Sequence, residues 1–212
     1  MDTMRIGIIA CSILRRELEQ ILEKLDWQPE VVYLDAALHI KPQNMRAVLV
    51  DRIREMASGE NPVDAVFLGY GFCQSLTGIG EECPVPVILP QVDDCIALLL
   101  GPERYAAEVK KETGTWFMTP GWAEVGAEMV IKELHLDRVT KYGKDPMEMA
   151  KRLFTHYRRG LYIDTGVGEG RANLEAAKKF CTDFNLALEE TTAAPELLEE
   201  WVQRARKWNG GC

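Results

Sequence analysis

Four short apolar runs, Arg5–Ala10, Glu30–Leu34, Asp64–Gly69 and Pro84–Leu89, restrict this chain more than any other feature. Each has strand length and each is followed by a segment of helical period. In Ser12–Leu25 the apolar residues are Ile13, Leu14, Leu18, Ile21, Leu22 and Leu25, with charges between them. Asn44 is placed to cap a second helix whose apolar face is Val48, Leu49, Ile53 and Met56, ended by Gly59. Gln74–Gly78 reads as a short helix and Asp94–Leu100 as a buried one, closed by Gly101-Pro102. Strands that alternate with helices pair in parallel, with the helices covering the sheet faces.

The alternation continues beyond residue 101. Glu103–Lys111 is helical, Thr115–Met118 a strand, and Thr119–Trp122 a turn. Helices over Glu124–Leu136 and Pro146–His156 lead to a strand at Leu161–Asp164. A helix at Ala172–Phe184, a weak strand at Leu186–Glu189 and a last helix at Pro195–Trp208 complete the pattern. The expected fold class is α/β and Rossmann-like: mostly parallel sheet or sheets with flanking helices, in two lobes around a cleft. The lobes are expected at 1–101 and 102–212, with a single continuous sheet as the alternative.

Charge narrows the range of functions. Lys and Arg number 25 against 33 Asp and Glu, a net charge of −8, with no basic cluster. Such a chain repels phosphate backbones, so nucleic acid is not an expected partner. The apolar run Ile6–Cys11 is too short to span a bilayer, and Met1–Arg5 has no signal-peptide pattern. The expected location is cytoplasmic.

In that compartment six cysteines are not a disulfide framework, and there is no CxxC pair to suggest a zinc ribbon or ferredoxin. Three of them fall at strand ends. Cys11 follows the first strand, Cys73 follows Gly69-Tyr70-Gly71-Phe72 after the third, and Cys95 follows the fourth. In a parallel sheet these ends share one rim, where ligands bind. Gly69 and Gly71 are expected to let the backbone turn and approach a cofactor. A helix N-terminus beside such a thiol favours thiolate, the metal-binding form. Cys11, Cys73 and Cys95 are therefore candidate ligands for zinc, iron, copper(I) or an iron–sulfur cluster. The fourth ligand is open between Asp93, Asp94, His39, Cys212 and an external group, and Asp94 is equally suited to capping a helix. The plainer alternative is three separate thiols buried at strand–helix joints. Cys83 precedes a strand, and Cys181 lies on an apolar helix face as a core residue.

The second half offers its own rim. Thr119, Gly121 and Trp122 follow one strand and Asp164, Thr165 and Gly166 another, with Gly168 and Gly170 beyond. These are candidate cofactor-binding residues, although neither a dinucleotide fingerprint nor a Walker loop is present, and a flexible turn is the bland alternative. His39, His135 and His156 form no metal-spaced pair, and no GxSxG elbow supports hydrolase chemistry.

The stretches "GYGFCQSLTGI", "LPQVDDCIALLLGPERY" and "GTWFMTPGW" resemble an uncharacterised family, domain of unknown function 1638. Ala10-Cys11, the turn from Gly69 to Cys73, Asp94-Cys95 before Gly101, and Thr119–Trp122 carry the resemblance. Many relatives have His where this chain has Asp93. The resemblance implies anaerobic bacteria and archaea, often beside corrinoid-dependent methyl-transfer systems, and no settled reaction. The expected function is a metal- or iron–sulfur-binding protein of anaerobic metabolism. It would serve electron transfer, metal handling or metal-assisted chemistry. The alternatives are an accessory or binding protein for corrinoid methyl transfer and metal-free thiol chemistry. In the corrinoid case Trp116, Phe117 and Trp122 would wall a corrinoid or meet a corrinoid protein. The DxHxxG corrinoid signature is absent.

Overall fold

The structure is a computed structural model that describes residues 4–35, 38, 42–72 and 76–208. It is a mixed α/β protein with two parallel sheets flanked by helices. The chain divides into two compact units, Met1–Pro102 together with Pro195–Cys212, and Glu103–Ala194. The return of the C-terminal segment to the first unit differs from the expected 102–212 lobe. The cause is a helix, Glu196–Arg206, whose Leu198, Val202 and Ala205 are fully buried.

The first unit contains β1 (Ile6–Cys11), β2 (Glu30–Leu34), β3 (Ala65–Gly69) and β4 (Val87–Ile88). They lie in the order β2-β1-β3-β4, all parallel. β1 and β3 are buried along their whole length, as their unbroken apolar sequences require. β4 is shorter than its apolar run because Pro84 and Pro86 cannot donate to a ladder. A 3₁₀ turn at Ser12–Leu14 leads into α1 (Arg15–Leu22). α2 (Pro42–Ser58) begins at Pro42, where a missing N–H costs nothing, so Asn44 lies inside the helix and not at its cap. α2 buries Met45, Leu49, Val50, Ile53 and Met56, and a Cβ on Gly7 of β1 would lie 2.6 Å from Met56 Cε. α3 (Cys95–Leu100) is buried from Ile96 to Leu100, and Cys95 at its start is half-buried. The C-terminal helix packs on α3, β3 and α1.

The second unit contains α4 (Pro102–Lys111), apart from its first residue, then β5 (Thr115–Met118), α5 (Pro120–Val125) and α6 (Ala127–Glu133). The single helix expected over Glu124–Leu136 is broken because Gly126 takes φ +57°, a conformation that ends α5. A 3₁₀ stretch, Leu136–Tyr142, leads to α7 (Pro146–Leu153), capped by Asp145. β6 (Arg159–Asp164), α8 (Gly170–Phe184) and β7 (Ala187–Thr192) follow, and the C-terminal helix is α9 (Glu196–Arg206). The sheet order is β5-β6-β7, again parallel. At the strands' amino ends Arg159 is buried. It donates to Thr115 Oγ1 at 2.9 Å, Glu108 Oε2 at 2.8 Å, the Glu108 carbonyl at 2.8 Å and Glu189 Oε2 at 3.1 Å.

Cys181 is the core residue expected of it, 3% exposed, with its thiol pushed up to about 11 by burial. Its Sγ fills the space at Gly160, where a Cβ would meet it at 2.4 Å and Met118 Cε at 2.9 Å. Gly160→Ala should therefore lower stability by about 2 kcal/mol. Thermal unfolding should report a drop of about 4–8 °C. Adding Cys181→Ala, which empties the contested volume, should cost less than the two single changes summed.

Candidate functional site

In an open parallel sheet the binding crevice lies beyond the carboxyl ends of the strands, where consecutive connections run in opposite directions. The order β2-β1-β3-β4 places that reversal between β1 and β3. The described strands of the second unit, β5-β6-β7, run in sequence order and have no reversal. Topology thus favours the first unit's rim.

β1 ends at Cys11 and β3 at Gly69. Ala10 pairs with Gly69, so the next residues along the two strands are Cys11 and Tyr70. A Cβ on Gly69 would lie 2.7 Å from Ala10 Cβ, so glycine is what lets the strands close here. Beyond β3 the Phe72 N–H donates to the Val92 carbonyl at 2.6 Å. This draws the chain after β3 onto the chain after β4. A Cβ on Gly71 would fall 2.2 Å from Asp94 Cα and 2.4 Å from Asp94 N. At both glycines the protein's own chain fills the space that a Cβ would take.

Asp94 caps α3. Its Oδ1 accepts from Ile96 N at 2.8 Å and Ala97 N at 2.9 Å. Cys95, the first residue of α3, is brought to Cys11 of β1, and the two side chains share a hydrogen bond. That bond raises the Cys95 thiol well above its ordinary value, and burial and the neighbouring Cys11 and Asp94 add to it. The thiolate expected from the helix terminus is therefore not the resting state. A six-residue helix is a weak dipole against burial and a second sulfur.

Tyr70 follows Gly69, the partner of Ala10, and so stands level with Cys11 at the end of β1. Its phenol is pushed upward by burial first, then by Cys11, Cys95 and Asp35. The residue is 6% exposed, and its hydroxyl, itself buried, has no hydrogen-bond partner among the described residues. The sequence reading missed Tyr70, although it sits inside the Gly69–Gln74 stretch; a polar tip at a strand end was the available signal. Glu17, fully buried in the first turn of α1, was missed as well.

Cys73, His39 and Cys212 lie outside the described residues. Among the described residues no three His, Cys, Asp or Glu side chains form a metal-ligating group. Cys83 is separate and donates to the Ile79 carbonyl at 3.3 Å. The described cysteines form no disulfide.

The second unit's candidate residues make contacts within their own unit. Thr119 is fully buried, and its Oγ1 accepts from Trp122 N at 3.3 Å to cap α5. The expected turn at Thr119–Trp122 is thus the start of a helix, with Gly121 inside it. Trp122 packs edge-on against Trp116 at 4.9 Å, and Trp116 also meets Phe154, Tyr157 and Phe180. Phe117 packs on Tyr105. Asp164 Oδ1 accepts from Gly166 N at 2.9 Å, Thr165 is buried, and Gly166 and Gly168 both have positive φ. No described helix is long and apolar enough to cross a membrane.

No curated protein and no solved structure matches the chain. A family model described as protein of unknown function (DUF1638) matches residues 33–202, more than half of the chain and inclusive of Tyr70, Gly71 and Cys95, and the chain belongs to that family.

Proposed function

We propose that the first unit binds a thiophilic metal ion, zinc or iron, or an iron–sulfur cluster through Cys11, Cys73 and Cys95. The protein would then serve electron transfer, metal handling or metal-assisted chemistry. One observation carries this reading: two thiols remote in sequence, Cys11 and Cys95, meet at the switch point of a parallel sheet. Cys73 follows two residues after Gly71, whose backbone lies on Asp94.

The donor set suits soft metals. Asp94 spends Oδ1 on its helix, and the fourth position stays open between Asp93, Asp94, His39, Cys212 and an external group. When bound, such a centre supplies a Lewis-acid position or, with iron, an electron couple. Cys95, whose thiol is raised, must lose its proton to bind, so affinity should rise with pH.

Metal and acid-labile sulfide should be measured on anaerobically purified protein and on Cys11→Ser, Cys73→Ser and Cys95→Ser. About one ion or one cluster per chain is expected in the wild type. Each serine variant should lose about a hundredfold in affinity, since even outer-shell changes cost ten- to a hundredfold. Equal metal content in all four proteins would refute the assignment.

The Cys11–Cys95 contact also favours a second reading, metal-free thiol chemistry. The pair would pass two electrons and two protons to an external disulfide, which leaves as two thiols. A metal-free wild type that forms this bond reversibly would support it. The corrinoid alternative gains no such observation, because Trp116 and Trp122 are spent on each other.

A further inference from the structure

We propose that the second unit carries a separate small-molecule site, a groove between the α5–α6 turn and α8, which binds a primary amine with a compact hydrocarbon body. All of its lining residues belong to the second unit, so the proposal is independent of the metal reading.

The groove follows from one glycine. α5 packs on α8, but at Gly126, with φ +57°, the chain turns and α6 packs on α7 instead. Ala123, Ala127 and Ala176 line the gap and are too short to close it. A cavity of about 660 Å³ remains, within the range of small-ligand sites. Val125, Met147 and Phe180 supply its larger apolar side chains. Val125 is 40% exposed, apolar surface that a ligand would take out of water. The charged lining consists of Glu124, Glu128, Asp183 and Lys179. Lys179 Nζ bonds to Asp183 Oδ2 at 2.6 Å, so this pair cancels. Glu128 has no ion pair among the described residues, and the lining is acidic. Carboxylates alone would select no ligand; here they stand beside an apolar cavity. An aliphatic amine is charged at neutral pH and would meet opposite charge at Glu128. A carboxylate on the same hydrocarbon body would meet like charge.

NMR of the full chain, labelled at its methionine methyls, tests this with Met147 as the reporter. Loss of one signal in Met147→Leu assigns it. 2-Phenylethylamine, 2-phenylethanol and 3-phenylpropionate are titrated separately. The Met147 methyl should move saturably with the amine, which should bind about threefold tighter than the alcohol, with the carboxylate weakest. Glu128→Gln, at an exposed position, should weaken the amine about threefold and leave the alcohol unchanged. Ala176→Leu, which fills the cavity, should weaken both by about tenfold. No saturable Met147 shift up to about 10 mM amine would overturn the proposal. So would equal affinities for amine and carboxylate, amine binding unchanged in Glu128→Gln, or binding indifferent to Ala176→Leu.

Discussion

Gly71→Ala should destabilise the first unit by about 3 kcal/mol or more, a large value for one methyl group. The added Cβ would lie 2.2 Å from Asp94 Cα and 2.6 Å from its carbonyl carbon. Both are main-chain atoms, so no rotamer can relieve the clash. Either the Phe72–Val92 hydrogen bond opens or the start of α3 moves, and with it the Asp94 cap, itself worth about 1 kcal/mol. The melting temperature should fall by about 6–12 °C. Metal binding should fail even in variant protein that remains folded, because the chain that precedes Cys95 has shifted. Gly80→Ala is the control: no atom lies within 4 Å of the added Cβ, and stability should change by no more than about 0.5 kcal/mol.

Arg159→Met should cost the second unit about 3 kcal/mol. Arg159 is 4% exposed and holds three chain segments at the amino edge of the sheet: Thr115 of β5, Glu108 of α4 and Glu189 of β7. Methionine fills part of the space but returns none of the four hydrogen bonds. The cost stays below the upper range for buried pairs because Glu189 is 41% exposed and can be hydrated. Lys111 first, then Arg159, holds the Glu189 carboxyl below its ordinary 4.5. A depressed carboxyl stabilises the fold above its unfolded value, and the contribution is lost as pH falls through the folded one. The deficit of Arg159→Met in denaturant unfolding should thus be full near pH 7 and smaller once the pH falls through that lowered value. A deficit that grows in acid would contradict this account.

The strand framework was legible because β1 and β3 are buried on both faces and so read as unbroken apolar runs. The meeting of Cys11 with Cys95 was legible for a related reason, since parallel strands bring their ends to one edge. What sequence could not reveal depended on which segments become neighbours. That Gly69 and Gly71 lie against Ala10 and Asp94 could not be read from sequence. Gly126 looked like an ordinary helix residue until its positive φ split the helix. α9 was placed with its sequence neighbours, although its apolar face matches the first unit. The raised Cys95 thiol arises only once Cys11 is brought to it, and the unpartnered Tyr70 hydroxyl only once its ring is buried.

The same proximity is what the functional reading depends on, and X-ray absorption at the metal edge of anaerobically prepared, zinc-loaded protein tests it most directly. The account predicts three sulfur neighbours at about 2.3 Å and one lighter atom, with a sulfur lost in each of Cys11→Ser and Cys95→Ser. A shell of oxygen and nitrogen alone, or a sulfur count indifferent to those two substitutions, would contradict it.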